Sequence, residues 1–166
     1  MELWDIYDAK KQVTGRTMKK NDWCLKEGEY HLTVLGVLSY KGRFLITRRV
    51  LTKAWAPGWW EVAGGAVMAG ETSREAVVRE VFEETGIDVS GCSDGYEFTY
   101  KRENPGEGDN YFVDIYRFEV PFTEADVKLQ PKEALEFRLA TAEEIKALAA
   151  EGIFLHYNSI KAVFEK

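Results

Sequence analysis

The chain has 166 residues, 45% of them apolar and 30% charged, with 28 acidic against 22 basic side chains and a formal net charge of −6. This composition excludes a disordered chain and suits a domain that buries roughly two-thirds of its unfolded surface without a disulfide or metal staple. The acidic balance gives no general attraction to a nucleic-acid backbone or an anionic bilayer, so neither a nucleic-acid polymer nor a membrane is an expected partner.

Along the chain, the Met1–Asp8 segment lacks the basic and apolar stretches of a secretory signal. Leu3–Tyr7 reads as a strand and leads into a polar segment around Thr14–Thr17. Glu29–Tyr40 and Phe44–Arg49, joined by the turn Tyr40-Lys41-Gly42-Arg43, read as a hairpin of two long strands. The apolar run Leu32–Leu38 within it is too short to span a bilayer. Lys53–Gly58 is a loop by its Pro-Gly pair, and Trp59–Ala63 is a short strand that Gly64-Gly65 should break.

A helix is expected over Ser73–Thr85, capped by Thr72 or Ser73 and closed by Gly86. Tyr96–Arg102, Asn110–Val120 and Ala134–Ala140 have strand character. Thr141 with Glu144 three residues on forms a capping-box pattern that opens a second helix, and a last helix is expected over Leu155–Phe164. Strands interspersed with a few helices predict an α/β sandwich around a mixed sheet. No repeat or linker divides the chain, so a single domain over residues 1–166 is expected, with an N-terminal strand extension over about residues 1–28. Cys24 and Cys92 stand far apart with no CxxC spacing, as in a reducing compartment, and a cytoplasmic location is expected.

The chemistry concentrates at the centre. Gly65 is followed after five residues by Glu71, and after seven more by Arg79-Glu80-Val81-Phe82-Glu83-Glu84-Thr85-Gly86-Ile87. At about 100° per residue, Glu80, Glu83 and Glu84 fall within roughly a 100° arc of the helix. Val77, Val78, Val81 and Phe82 take the other side, where the core is expected. Like charges at these spacings cost a few tenths of a kcal/mol per pair, so stability alone does not select them. A hard divalent cation reverses that sign, and carboxylate oxygens are the ligands magnesium and manganese prefer. Arg79 lies one turn from both Glu75 and Glu83 and can orient a carboxylate. Gly64-Gly65 lets the main chain approach a metal or phosphate with no Cβ in the way.

The segment Gly65–Ile87 resembles the Nudix box, G-x5-E-x7-R-E-U-x-E-E-x-G-U with U a bulky apolar residue, and every fixed position is matched. The resemblance implies a Nudix-type α/β/α sandwich and a hydrolase that cleaves a diphosphate linkage in a nucleoside-diphosphate-X or similar small substrate, with Mg²⁺ or Mn²⁺ as cofactor. By position it implies Glu80, Glu83, Glu84 and the Gly65 carbonyl as metal ligands, with Glu71 and Arg79 fixing the box. The general base is left among Glu80 and Glu83 inside the box and Glu133 and Glu136 in the later loop.

Arg48, Arg49 and Lys53 are candidates for neutralising a terminal phosphate. Trp59, with Trp55, Trp60, Tyr100, Tyr111 and Phe112, is a candidate for stacking on a flat group. His31, in a strand-like segment, reads as structural, and a homodimer is an open expectation.

Two rivals follow from the same resemblance. The N-terminal pattern Trp4–Asp8, Thr14–Thr17 and Glu29–Leu32 resembles the branch near isopentenyl diphosphate isomerases, which protonate an alkene through a cysteine before the box. The corresponding stretch here, Lys53–Trp60, has no cysteine. The other rival is a non-hydrolysing nucleotide-binding sensor, a type that has typically lost box carboxylates. All of them stand here.

Overall fold

In the computed structural model, residues 2–165 are described. Strands β1 (Leu3–Tyr7) and β2 (Val13–Lys19) pair antiparallel as a small sheet of their own. The segment expected to be merely polar is therefore a strand. Its side chains mostly face solvent, so it shows none of the alternation that marks a half-buried strand. Trp4, Ile6, Met18 and Leu25 form a satellite core beneath this hairpin.

The main sheet holds β3 (His31–Tyr40), β4 (Arg43–Arg49), β5 (Trp60–Glu61), β6 (Ala63–Ala66), β7 (Tyr96–Arg102), β8 (Tyr111–Glu119) and β9 (Ala134–Ala140). It is mixed, because β3 runs parallel to β8 while its other pairings are antiparallel. The expected β3–β4 hairpin is short. Only Ser39 with Phe44 and Tyr40 with Arg43 pair, around Lys41 and Gly42, which both have positive φ, as a two-residue hairpin turn of type I′ requires. Beyond the turn the strands part. β4 joins β5 and β9, and β6 takes the vacated edge of β3.

Helices cover both faces. Leu32, Val34 and Leu38 of β3 pack with Val77 and Val81 of α1 (Ser73–Thr85). On the opposite face, Val37, Ile46 and Ile115 pack with Ile145 and Leu148 of α2 (Ala142–Ala150) and with Ile160, Val163 and Phe164. The architecture is the expected α/β/α sandwich. The last helix is not continuous: α3 covers only Tyr157–Ile160, entered through left-handed His156, and a 3-10 turn follows over Lys161–Phe164. Among the described residues, no helix is long and apolar enough to cross a membrane.

Candidate active site

Gly64 and Gly65 do not break the chain. They lie inside β6, where Gly65 pairs with Val34 and Gly64 with Leu35. Their requirement is close approach. A Cβ on Gly64 would stand 2.3 Å from the Val34 carbonyl oxygen, and one on Gly65 would stand 2.5 Å from the Glu80 carboxyl carbon. Gly36 of β3 does the same for the helix, since a Cβ there would meet Val81 Cγ2 at 2.5 Å. Gly36 and Gly65 thus let α1 sit against β3 and β6 with Glu80 beside bare backbone, and Gly64 lets β6 close on β3.

The helix itself is locally well specified. Thr72 and Glu75 form a reciprocal capping box, and Gly86 closes the C-terminus at φ 77°, its N–H bonded to the Phe82 carbonyl. Its buried stripe is Ala76, Val77, Val81 and Thr85, and Phe82 is 56% exposed. The expectation that Phe82 faces the core is corrected accordingly. With Val77 and Val81 at its centre, the stripe has Phe82 about 120° away on one flank, and Glu84 and Glu80 about 40° and 80° away on the other. Two carboxylates therefore border the core instead of pointing to water.

That placement sets their electrostatics. Burial pushes the Glu84 carboxyl well above the ordinary value, and the charges of Glu80 and Glu61 add to it, against one hydrogen bond from the Gly64 N–H at 3.3 Å. Burial also raises Glu80, opposed by Arg79. Arg79 is the hub of the box. Its Nε and Nη2 donate to the two oxygens of Glu71 at 2.7 and 2.9 Å, its Nη1 to Glu80 at 2.8 Å and Glu83 at 3.4 Å, and its Nη2 also to the Ala66 carbonyl at 3.2 Å. The Glu71 bonds, and then those to Glu80, raise the guanidinium's pKa against burial. Burial would raise Glu71, yet the Arg79 bonds, the Met68 N–H and the Arg79 charge together hold it below the usual range.

Gly65, Arg79, Glu80, Glu83, Glu84 and Glu133 all line one cleft of about 580 Å³. The N-terminal hairpin closes its side with Glu2, Trp4 and Lys20. Glu133 is ion-paired with Lys53 at the same cleft. Other expected residues are placed elsewhere. Arg48 donates to the Gly58 carbonyl and to Glu136, and neither Arg48 nor Glu136 lines the cleft. Trp59 lines a separate hollow near Arg102 and Phe154. Arg49 pairs with Glu61 at 3.2 Å in a smaller adjoining cavity that Gly64, Glu84 and Glu133 share. Neither cysteine lines the carboxylate cleft.

Glu61 is the residue that sequence reasoning missed. Burial raises its pKa against the Arg49 charge, and its own charge acts on Glu84. The available signal was a lone carboxylate between Trp60 and Val62 in an otherwise apolar strand.

The donor set fits a hard divalent cation: carboxylates crowded at a buried edge, a bare main chain facing Glu80, and no soft ligand. Among the described residues, no three acidic, imidazole or thiol groups close on one point by themselves. Magnesium does not require that. It is usually held by one or two carboxylates, with waters and phosphate oxygens completing its shell.

An α/β/α sandwich that carries a carboxylate-lined helix against a glycine strand defines a recognisable class. A family model described as the NUDIX domain matches residues 29–162, and the chain belongs to that family. An uncharacterized Nudix hydrolase of Listeria monocytogenes is 33% identical over 168 residues, covering 99% of this chain and 94% of that protein. A CTP pyrophosphohydrolase of Escherichia coli is 31% identical over 66% of this chain and 83% of its own length. An isopentenyl-diphosphate delta-isomerase of Citrobacter koseri is 29% identical over 66% of this chain and 61% of its own.

Among solved structures, a Deinococcus radiodurans protein superposes with a TM-score of 0.70 at 24% identity, over 92% of this chain and 91% of that one. A MutT protein of Methanosarcina mazei gives 0.62 at 28% identity, over 82% and 91%. With relatives named as hydrolases and pyrophosphohydrolases, the protein is an enzyme of the Nudix hydrolase family.

Proposed function

We propose that the protein is a magnesium- or manganese-dependent hydrolase that cleaves a diphosphate linkage in a nucleoside-diphosphate-X or similar small substrate. The observation that carries this reading is the Gly65–Glu80 contact. A carboxylate occupies the volume a side chain would fill, inside a cleft that also gathers Glu83, Glu84 and Arg79. Glu80, Glu83, Glu84 and the Gly65 carbonyl would hold the metal. A bound cation would supply charge stabilisation on the bridging oxygen and acidify the attacking water.

The chain's own residues do the rest. Arg79, clamped by Glu71, orients Glu80 and Glu83. Lys20 and Lys53 bring positive charge to the cleft where phosphates would lie. The general base is Glu83 or Glu133, both in the cleft and both about half exposed, hence able to reach a water. The absence of a cysteine from the cleft lining supports hydrolysis over isomerisation. The relative named for CTP supports a nucleotide substrate.

The test is release of phosphate-containing products (nucleoside phosphates with pyrophosphate, phosphate or a sugar phosphate) from a panel of nucleoside triphosphates, nucleotide sugars and dinucleoside polyphosphates with Mg²⁺ or Mn²⁺. Metal-dependent turnover is expected to collapse in Glu83→Gln in either case, because Glu83 is a metal ligand. A fall of about 10²–10⁴-fold in Glu133→Gln would assign the base to Glu133, and near-unchanged turnover there would leave it with Glu83. Metal-assisted binding with no turnover across the panel would favour a sensor. Interconversion of isopentenyl and dimethylallyl diphosphates would make it an isomerase.

A further inference from the structure

The face of β3 turned away from α1 continues past the carboxylate cleft. Strand alternation puts His31, Thr33 and Leu35 on that face, and the parallel register sets His31 beside Tyr111 and Thr33 beside Val113. Together they floor a second cleft of about 560 Å³, a size typical of ligand pockets. His31 and Thr33 line both clefts, so the two hollows adjoin.

Two indoles wall the second cleft. Trp23 and Trp55 are left 46% and 59% exposed, so both indoles present open ring surface. Each is presented by a loop with left-handed non-glycine backbone, Trp23 itself at φ 48° and Ala56, next to Trp55, at φ 48°. Such geometry persists only where the surrounding structure enforces it.

The polar character of this cleft is equally specific. No lysine or arginine lines it, so it is not built for a phosphate. Its one carboxylate, Asp109, accepts a hydrogen bond from His31 Nε2 at 3.1 Å through Oδ1. Burial lowers the His31 pKa against Asp109, and its Nδ1 is buried without a hydrogen-bond partner. Asp109 Oδ2 stands at this end of the cleft as an acceptor with no hydrogen bond from the described residues.

We infer that the aromatic cleft takes the base of a nucleotide substrate, and that Asp109 selects bases bearing an exocyclic amine over those with a carbonyl in its place. This rests on the diphosphate reading above, because the adjoining carboxylate cleft is what places the phosphates. Trp23 and Trp55 cover the ring, and an amine donates to Asp109 Oδ2. A carbonyl at the same position sets oxygen against oxygen and leaves both unpaired. Sites built to hydrogen-bond one substrate group discriminate strongly against analogues that lack it.

The test compares kcat/KM for two near-isosteric pairs, CTP with UTP and ATP with ITP, in wild type, Asp109→Asn and Trp55→Ala. The amino member is expected to lead by about tenfold or more in the wild type. Asp109→Asn still accepts from His31 and gains an N–H to offer a carbonyl, so the ratio shrinks toward one or inverts. Trp55→Ala raises KM for all four nucleotides and leaves the ratio in place. Quenching of indole fluorescence by cytidine and by uridine, which carry no phosphate, reads the base site independently of hydrolysis.

Equal kcat/KM within each pair, or a ratio unmoved by Asp109→Asn, overturns the inference. If no nucleotide is hydrolysed, the diphosphate reading fails and the quenching decides: cytidine bound over uridine upholds the base site, and equal or absent binding overturns it.

Discussion

The two clefts meet at His31 and Thr33, yet they are built in opposite ways. The carboxylate cleft draws its chemical groups mainly from one short stretch, Gly65 to Glu84, folded as a strand and a helix against each other. The aromatic cleft draws its own from Trp23, His31, Trp55, Tyr100, Asp109 and His156, which lie on separate strands and loops. A local motif can be moved from fold to fold, and its geometry is set by helix periodicity. An assembled cleft exists only after the sheet has formed, and it can vary one loop at a time. On the proposed reading, reaction type belongs to the first region and choice of substrate to the second.

The sharpest way to break this division is at the paired glycines. Gly65→Ala puts a methyl 2.5 Å from the end of a flexible side chain, so the fold can yield by moving the Glu80 carboxylate. Hydrolysis should then fall about 10²-fold on every substrate, as expected for an ångström-scale misplacement, with the melting temperature nearly unchanged. Gly64→Ala instead drives a methyl to 2.3 Å from the Val34 backbone oxygen, which cannot swing aside. It should destabilise the protein by about 1–3 kcal/mol or more in urea titration. Equal stability losses in the two variants would mean that Gly65 is a packing residue and not part of the metal cradle.

The same contrast explains what could be read without coordinates. The box helix, its capping box and its Gly86 terminus are local, and Ser73–Thr85 is found over the expected residues. The three late strands and Thr141 as an N-cap were legible for the same reason. What failed depended on partners distant in sequence. Gly64-Gly65 read as a break because the Val34 carbonyl and the Glu80 carboxylate that require them lie 30 and 15 residues away. Phe82 read as core because apolar character alone does not say which flank of the valine stripe the sheet will cover. The β3–β4 hairpin read as long because the preference of β4 for β9 is a tertiary fact. Tyr100, Tyr111 and Trp55 were visible as aromatics, but nothing in their spacing put Asp109 and His31 between them.

A smaller effect bears on the seam between the clefts. Trp4, in the N-terminal hairpin, stacks on His31 with ring centroids 4.6 Å apart. The hairpin is tied down at its far end by Lys11, whose Nζ lies 2.6 Å from Asp114, a carboxylate only 1% exposed. Ser73 and Thr99 hydroxyls donate to the same carboxylate at 2.7 and 2.6 Å. Lys11→Met removes the one cation paired with Asp114 among the described residues and leaves two hydroxyl donors. The loss should be about 2–3 kcal/mol, short of the 3–5 kcal/mol typical when a buried charge loses its partner. Adding Asp114→Asn should recover part of it in a double-mutant cycle. If the hairpin supports both clefts, Lys11→Met also weakens nucleoside quenching and raises KM together. A change confined to one of them would show that the seam does not couple the two regions.

The smallest expected effect lies far from both clefts and serves as their control. Glu144, at the start of α2, has its carboxyl lowered from the ordinary 4.5 to about 2, first by the Thr141 backbone N–H and then by Arg138, whose Nη2 donates at 2.9 Å. A carboxylate depressed on folding contributes stability that is present above its unfolded pKa and is lost as pH falls toward its folded one. The window is therefore from about 4.5 down to about 2. Water and salt screen this solvent-facing site, so the contribution is small. Glu144→Gln should be slightly less stable than wild type at pH 7, and its stability should fall less steeply between pH 4.5 and 2 in urea titrations. Its kcat/KM and its preference between amino and oxo nucleotides should not move, because α2 packs on the sheet through Ile145 and Leu148 and sends no side chain to either cleft. Parallel acid limbs for the two proteins would remove the capping carboxylate from the account of acid stability. A shifted nucleotide preference would show that specificity extends beyond the aromatic cleft.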